Sequence, residues 1–169
     1  DDMLADQYDL SGSATGWGLN FSSNLKPTSK DVIRLQLVYG EGIENYMNDA
    51  PADLGPRLNP GSANRPLVGE LLPVLGLVAF FDLNWSDKLT STIGYSSVDI
   101  DNSTGQAADA FSKGEYALAN VLFYPVKNVM FGPEIQWGKR HNFDDGFTSD
   151  DLRFQFSVKY NFSHTMEGK

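Results

Sequence analysis

The amino-acid sequence predicts an all-β fold, an antiparallel meander transmembrane β-barrel in which about seven to eight strands are visible. Several segments of about ten residues alternate apolar and polar side chains, as expected of strands with one apolar and one polar face. The connections between these segments alternate between short and long. No run approaches the roughly 18 apolar residues of a membrane helix, so contact with a membrane would have to be made by strands.

The alternation is clearest in residues 152–162, which read L-R-F-Q-F-S-V-K-Y-N-F. About eleven residues suffice for a tilted strand to cross a bilayer. A half-buried strand of a soluble, lipocalin-like barrel would show the same pattern, and this strand alone does not separate the two readings.

The remaining strands are predicted, in chain order, at residues 15–24, 32–40, 75–85, 88–99, 116–124 and 129–139. Pro133 cannot donate to a ladder and predicts a bulge in the sixth of these strands. Short turns at 26–30, 86–87 and 125–128 alternate with longer connections at 41–73, 100–114 and 140–151. Outer-membrane barrels have short periplasmic turns and longer outer loops, so this alternation favours the membrane barrel over the soluble one.

Residues 41–73 carry five prolines and are predicted to be irregular. A loop of this length either folds inward as a constriction, or stays exposed, or contacts a neighbouring subunit. The sequence does not decide between these positions.

The whole chain, 1–169, is predicted to be a single β-barrel domain or the C-terminal segment of one, with strands within 14–162 and irregular termini at 1–13 and 163–169. Seven strands are an odd number, whereas closed single-chain bacterial barrels have an even number. Either residues 1–12 contain an eighth strand, or the chain is part of a larger porin barrel. The faint alternation in 1–12 favours the larger barrel.

Composition narrows the function classes. The formal net charge of -9 argues against nucleic acid as a partner. There is no cysteine, and neither His141 nor His164 lies in a recognisable catalytic motif. The acidic run that starts at Asp99 departs from a calcium-binding loop, because its closing position is Ala110. We therefore expect no enzymatic activity, no cofactor and no metal site.

Six segments in this order resemble the C-terminal half of DcaP-like outer-membrane porins: T-G-W-G-L-N (15–20), I-R-L-Q-L-V-Y-G-E-G-I (33–43), V-D-I-D-N (98–102), Y-P-V-K-N-V (124–129), W-G-K-R (137–140) and residues 152–162. The resemblance covers about 14–162. It implies a homotrimeric channel in the Gram-negative outer membrane, in contact with lipid and lipopolysaccharide. It also implies passive diffusion of small hydrophilic solutes, including anionic, dicarboxylate-like ones.

If the apolar faces meet lipid, the opposite faces line the pore. The candidate pore-lining and substrate-binding residues are Arg34, Gln36, Glu134, Gln136, Arg153, Gln155 and Lys159. Arg34, Arg153 and Lys159 could form a basic stripe for anions, or such residues could merely solvate a polar lumen, with Glu134 paired to an arginine. The alternative function is a small non-conducting outer-membrane barrel with a structural or adhesive role, since an eight-stranded barrel can be filled by its own side chains.

Overall fold

The computed structural model describes residues 12–47 and 50–163. These residues form nine strands and one short 3-10 helix, Glu44–Tyr46. The strands are β1 (Trp17–Leu25), β2 (Val32–Glu41), β3 (Leu54–Leu58), β4 (Leu67–Leu71), β5 (Pro73–Ser86), β6 (Leu89–Ile100), β7 (Phe111–Phe123), β8 (Val129–Asn142) and β9 (Thr148–Tyr160).

Seven of these strands form one antiparallel sheet in the order β1-β2-β5-β6-β7-β8-β9. They are the seven strands predicted from the alternation, so the predicted all-β meander is confirmed. The sheet does not close on itself: β1 pairs only with β2, and β9 only with β8. Both outer strands therefore present an unpaired edge within the part of the chain that the structure describes.

The segment 41–73 is not wholly irregular, as the sequence predicted, because it contains a second sheet made of β3 and β4. Its connection is closed by hydrogen bonds: the Asn59 backbone N–H donates to the Pro66 carbonyl at 2.7 Å, and the Asn59 side-chain amide donates to the Arg65 carbonyl. Five-residue strands that contain proline and glycine show no alternation, which explains why the pattern did not predict them.

Two of the predicted loops are shorter than expected. Strand β7 already begins at Phe111, and β9 begins at Thr148, within the acidic loop predicted for 140–151. Both faces of these extensions carry polar side chains, as at the Lys139–Asp150 pair of the β8–β9 ladder, so alternation no longer marks the strand. The bulge predicted at Pro133 is wrong, because no extra residue is inserted: Pro133 lies opposite Phe156 in the β8–β9 ladder, and the β7–β8 register is the same on both sides of it. The ladder with β7 is nevertheless interrupted at Pro133, between the Asn120–Glu134 and Phe123–Phe131 pairs.

The connections alternate as predicted: those on one side of the sheet are short, and those on the other are longer. The turn between β7 and β8 contains Asn128, whose φ of 69° lies in the left-handed region. The turn between β1 and β2 is fastened to β5, because Asp31 accepts the backbone N–H of Asn84 at 2.8 Å. The short turns thus hold neighbouring strands at a fixed stagger.

A small apolar core lies near the longer connections, where Leu72, Val74, Val98 and Ile100 are buried. Partly buried side chains from the segment after β2 pack against it, among them Ile43 and Met47. Among the described residues, no helix is long and apolar enough to span a membrane. The possible eighth strand predicted within 1–12 lies outside the described residues, except for Gly12, which is not in a strand, and the predicted irregular tail lies outside them from 164 onwards.

Candidate pore-lining surface

The register of the ladders divides the sheet into two faces of opposite character. On one face, neighbouring strands place apolar side chains side by side, as in the row that joins Ile33, Phe81 and Ile93 and continues through Ala119, Ile135 and Phe154. These side chains have no protein layer above them: Phe154 is 73% exposed. A contiguous exposed apolar face of this kind is what a lipid-facing barrel surface presents.

Several aromatic side chains of the apolar face lie at two levels, while Phe81, Phe154 and Phe156 lie between them. Near the longer connections lie Trp17 and Tyr39, whose rings make an edge-to-face contact at 5.9 Å, together with Tyr95 and Trp137. Near the short turns, Phe123 and Phe131 make a second such contact at 5.5 Å. Trp137 and Phe131 are six residues apart on β8, about 20 Å along a strand. Two aromatic levels that flank an apolar band are the girdles of outer-membrane barrels.

All seven residues predicted to line the pore lie on the other face of the sheet. Glu134 lies directly opposite Gln155, and Gln136 lies opposite Arg153. Following the register across the sheet from Gln136 leads to Arg34 on β2. Gln36 lies on the neighbouring row of the same face, and Lys159 lies opposite Met130 near the short turns. The structure therefore supports the face assignment, while the pore-lining role itself stays a prediction.

Glu134 is the centre of a hydrogen-bonded group on this polar face. Its carboxylate accepts hydrogen bonds from the side-chain amides of Asn120 at 3.1 Å and Gln155 at 3.1 Å, and from that of Gln136. Glu134 is thus held by amides from β7, β8 and β9 and not by an arginine, which was the alternative that the sequence left open.

The group continues across β6, β5 and β2. The Asn120 side-chain oxygen accepts the backbone N–H of Thr92 at 3.0 Å, and the Thr92 hydroxyl donates to Asp82 at 2.9 Å. Arg34 Nε donates to the other oxygen of Asp82 at 2.7 Å. We call these seven side chains the polar belt: Arg34, Asp82, Thr92, Asn120, Glu134, Gln136 and Gln155. The belt links six neighbouring strands across the polar face.

The structure does not bring the three cations of the predicted basic stripe together. Arg34 and Arg153 lie on the same row but five strand spacings apart, roughly 24 Å across the sheet. Lys159 lies six residues beyond Arg153 on β9, about 20 Å along the strand. Arg34 is paired with Asp82, whereas no carboxylate among the described residues lies within ion-pair distance of Arg153 or Lys159. The three residues are separate charges on one face.

Thr92 and Asn120 belong to the belt although the sequence analysis did not select them as site residues, and Asp82, which the alternation places on the same face, completes it. A signal for them exists in the turns. The tight connection between β5 and β6 sets Asp82 opposite Thr92, and the turn between β7 and β8 sets Asn120 opposite Glu134. Counting residues along each strand from its short turn would have identified which polar side chains lie opposite each other in the belt.

The segment that follows β2 lies against the polar face near the longer connections. Ile43 lies over Gly18 and Gly40, and the methyl end of Met47 lies over Gly76. A side chain at any of these glycines would collide with the segment, so the glycines make room for it. The segment and the polar face border a cavity of about 1150 Å³ that is open to solvent. Its lining includes Asn20, Gln36, Ser96 and Tyr116.

The 3-10 helix in this segment holds a buried carboxyl group. Glu44 is fully buried, and burial together with the nearby Asp53 carboxylate raises its pKa from 4.5 to about 7. The Asp53 carboxylate itself accepts the backbone N–H of Asn45 at 2.8 Å.

An antiparallel meander with one lipid-type face, two aromatic levels, one polar face and short turns on one side has the architecture of an outer-membrane channel. Comparison with known proteins agrees. The chain is similar to the crystal structure of the outer membrane channel DcaP of Acinetobacter baumannii, with a TM-score of 0.70 and 25% sequence identity over 88% of this chain. No protein-family model and no curated protein matches the chain.

The similarity confirms the predicted resemblance to DcaP-like channels and places the chain in the outer membrane, in contact with its lipid. The match covers 41% of the DcaP chain, so the present chain spans about two fifths of the channel that it resembles.

Proposed function

We propose that the chain forms part of a porin-type channel for passive diffusion of small hydrophilic solutes. One observation carries the proposal: the sheet exposes an apolar face of membrane-spanning dimensions and, on its other side, a polar belt that extends over six strands. In a barrel, these two faces meet lipid and the lumen respectively. The proposed activity resides in the shape and charge of the lumen, without bond chemistry, consistent with the expectation from the sequence that the protein is not an enzyme.

The open edges of the sheet support a larger barrel. In the part of the chain that the structure describes, strands β1 and β9 each have a row of backbone groups without a partner strand. Such edges do not occur in hydrocarbon because unpaired backbone groups there cost several kcal/mol each. Further strands must therefore pair with both edges. Seven sheet strands in two fifths of a DcaP-like chain scale to roughly sixteen to eighteen strands in the whole, a size at which barrels leave an aqueous channel.

Arg153 and Lys159 on the polar face, which have no carboxylate within ion-pair distance among the described residues, support a preference for anions. Of the two carboxylates of the polar belt, Asp82 is paired with the Arg34 guanidinium, whereas Glu134 keeps its charge and is stabilised by three amide donors. Arg153 lies beside the belt without a carboxylate partner among the described residues. An anion that loses part of its hydration in the lumen is stabilised by such an uncompensated cation. Small dicarboxylates are the solute class that fits this charge and the resemblance.

The homotrimer and the contact with lipopolysaccharide that the resemblance implies belong to the same proposal. The size of the intact protein in mild detergent tests the trimer, which would appear as one species of three chains.

Conductance of the intact protein in planar bilayers, with the reversal potential measured across a salt gradient, tests the channel and its selectivity. We expect stepwise conductance with a reversal potential that favours anions, and we expect Arg153→Gln to shift that potential towards cations. The double variant Arg34→Gln/Asp82→Asn, which leaves the net charge of the lumen unchanged, is the matched control and should shift it little. Absence of conductance from folded, inserted protein would overturn the channel and support the non-conducting barrel, in which the segment after β2 fills the lumen.

A further inference from the structure

Within the described part of the chain, Glu44 is a buried carboxyl group without hydrogen-bond partners, which is unusual because buried polar groups are normally hydrogen-bonded. Glu44 is 0% exposed, and neither of its carboxylate oxygens has a hydrogen-bond partner among the described residues. Leaving an ionised carboxyl group buried and unpaired is strongly unfavourable, and such groups tend to take up a proton instead. The charge state of Glu44 is therefore coupled to whether it is buried.

Among the described residues, no cation contributes to the electrostatic environment of Glu44. The core against which its neighbours Ile43 and Met47 pack is apolar and consists of Leu72, Val74, Val98 and Ile100, with Phe111 beside it. The charged group that acts on Glu44 among the described residues is Asp53, a second carboxylate. A proton can neutralise one of two neighbouring carboxyl groups.

Glu44 also lies at the centre of the contacts that hold its segment down. Ile43 and Met47, on either side of the 3-10 helix, are the residues that lie over the glycines of the polar face. At the two ends, Gly42 donates its backbone N–H to the Leu72 carbonyl at 3.0 Å, and Leu72 donates to the Asp53 carbonyl at 3.2 Å. Gly42 has a φ of 65°, a conformation that glycine adopts without strain.

We propose that Glu44 is a proton-controlled latch that keeps residues 42–47 and 50–53 packed against the polar face when it is protonated and releases them when it ionises. A protonated carboxyl group can donate a hydrogen bond to the Asp53 carboxylate. Two ionised carboxylates in an apolar site repel each other, and the released segment restores their hydration.

The direction of the pH dependence follows from the raised pKa of Glu44. Below its ordinary value of 4.5, the carboxyl group is protonated whether the segment is packed or released, and packing is then most favourable. Between pH 4.5 and about 7, packing is progressively weakened, because the released state ionises more readily. Above about pH 7 the penalty is constant. A difference of about 2.5 pH units in pKa corresponds to a shift of up to roughly 300-fold in the ratio of packed to released segment.

Cysteine labelling measures release directly, because the natural sequence contains no cysteine. In the intact protein folded into lipid vesicles, Met47→Cys places the thiol under the packed segment. Tyr46→Cys places it on the neighbouring residue, which is 88% exposed. The ratio of the two labelling rates with a water-soluble maleimide cancels the ordinary pH dependence of thiol reactivity. We expect this ratio to rise at least tenfold between pH 5 and pH 8.

Glu44→Gln in both cysteine backgrounds should keep the ratio low at every pH, because the amide does not ionise. Asp53→Asn should move the midpoint of the rise to lower pH, because it removes the neighbouring negative charge. Glu70→Gln, which changes a half-exposed carboxylate on β4 that is paired with Arg57 at 3.7 Å, is the matched control and should leave the rise unchanged. A ratio that does not change with pH, or an equal rise in Glu44→Gln, would overturn the latch.

Folding of each variant is checked by the heat-dependent mobility of barrels in gels, and Ile43→Cys serves as a second reporter if Met47→Cys does not fold. An effect of the latch on permeation rests on the proposed function, with conductance lower at pH 5 than at pH 8. If the labelling ratio follows pH while the protein does not conduct, the latch stands and the proposed channel fails.

Discussion

The hydrogen bonds around Glu134 lead to a quantitative prediction about stability. In Glu134→Gln, the carboxylate that accepts from Asn120, Gln136 and Gln155 becomes an amide with one acceptor oxygen and two donor hydrogens. At least one of the three donors then faces another donor, and the remaining bonds lose their charge assistance. Hydrogen bonds to charged groups contribute about 1.5–3 kcal/mol each, and neutral ones about 0.5–1.5.

The polar belt is only partly buried, so water can replace part of what is lost, and we expect Glu134→Gln to lower the free energy of unfolding by about 2 kcal/mol. That loss is a factor of about 30 in the ratio of folded to unfolded protein. The assay is urea unfolding of the intact protein in lipid vesicles, followed by tryptophan fluorescence and by mobility in gels.

Asp151→Asn is the matched control for this prediction. Asp151 lies on β9 on the same face of the sheet as Gln155 of the polar belt. In the described structure, its side chain accepts only the neighbouring Leu152 backbone N–H. We expect this control to change the free energy of unfolding by less than about 0.5 kcal/mol, as is usual for surface substitutions. Equal effects of Glu134→Gln and Asp151→Asn would refute the reasoning that the belt stabilises the sheet.

Three further predictions concern the faces and the turns. Phe154→Arg, in the apolar band, should lower the free energy of unfolding by about 2–4 kcal/mol in the same vesicle assay. Gln155→Arg, next to Glu134 on the polar face, should have little effect. Equal losses in the two variants would contradict the assignment of the faces. Asn128→Gly should retain stability, and Asn128→Ala should lose about 1 kcal/mol because of the positive φ; an unaffected alanine variant would count against the turn conformation. Hydrogen bonds from Asn84 and Thr28 lower the pKa of Asp31. The contribution of Asp31 to stability is therefore present above its ordinary pKa of 3.8 and is lost as the pH falls through the lowered value. Asp31→Asn should reduce the loss of stability on acidification, and an unchanged acid profile would contradict this role.

Much of the sheet could be predicted from the sequence because one of its faces is suited to an apolar environment and the other to a polar one. Alternation marks a strand wherever one face meets an apolar and the other a polar environment, and this holds along most of β1 to β9 in the main sheet. It fails where both faces are polar, as at Lys139 and Asp150, and the predicted strands therefore ended too early. It also fails in β3 and β4, which are short and contain Pro56 and glycines.

The polar face could be predicted, but the contacts on it could not. Alternation places Arg34, Glu134 and Gln155 on one side, yet their partners depend on the stagger of strands that are distant in sequence. The packing of the segment after β2 depends on Gly18, Gly40 and Gly76, which come together only in the folded sheet. The burial of Glu44 follows from that packing and leaves no local signal.

The central claim is that the polar face lines a water-filled conducting path. A single cysteine at Ser157, on the polar face of β9, or at Phe156, beside it on the apolar face, can be modified with a charged, water-soluble thiol reagent during recording from the intact protein in planar bilayers. We predict a stepwise change in conductance for Ser157→Cys and none for Phe156→Cys. A conductance that stays constant while Ser157→Cys is fully modified, or that changes only in Phe156→Cys, would contradict the account.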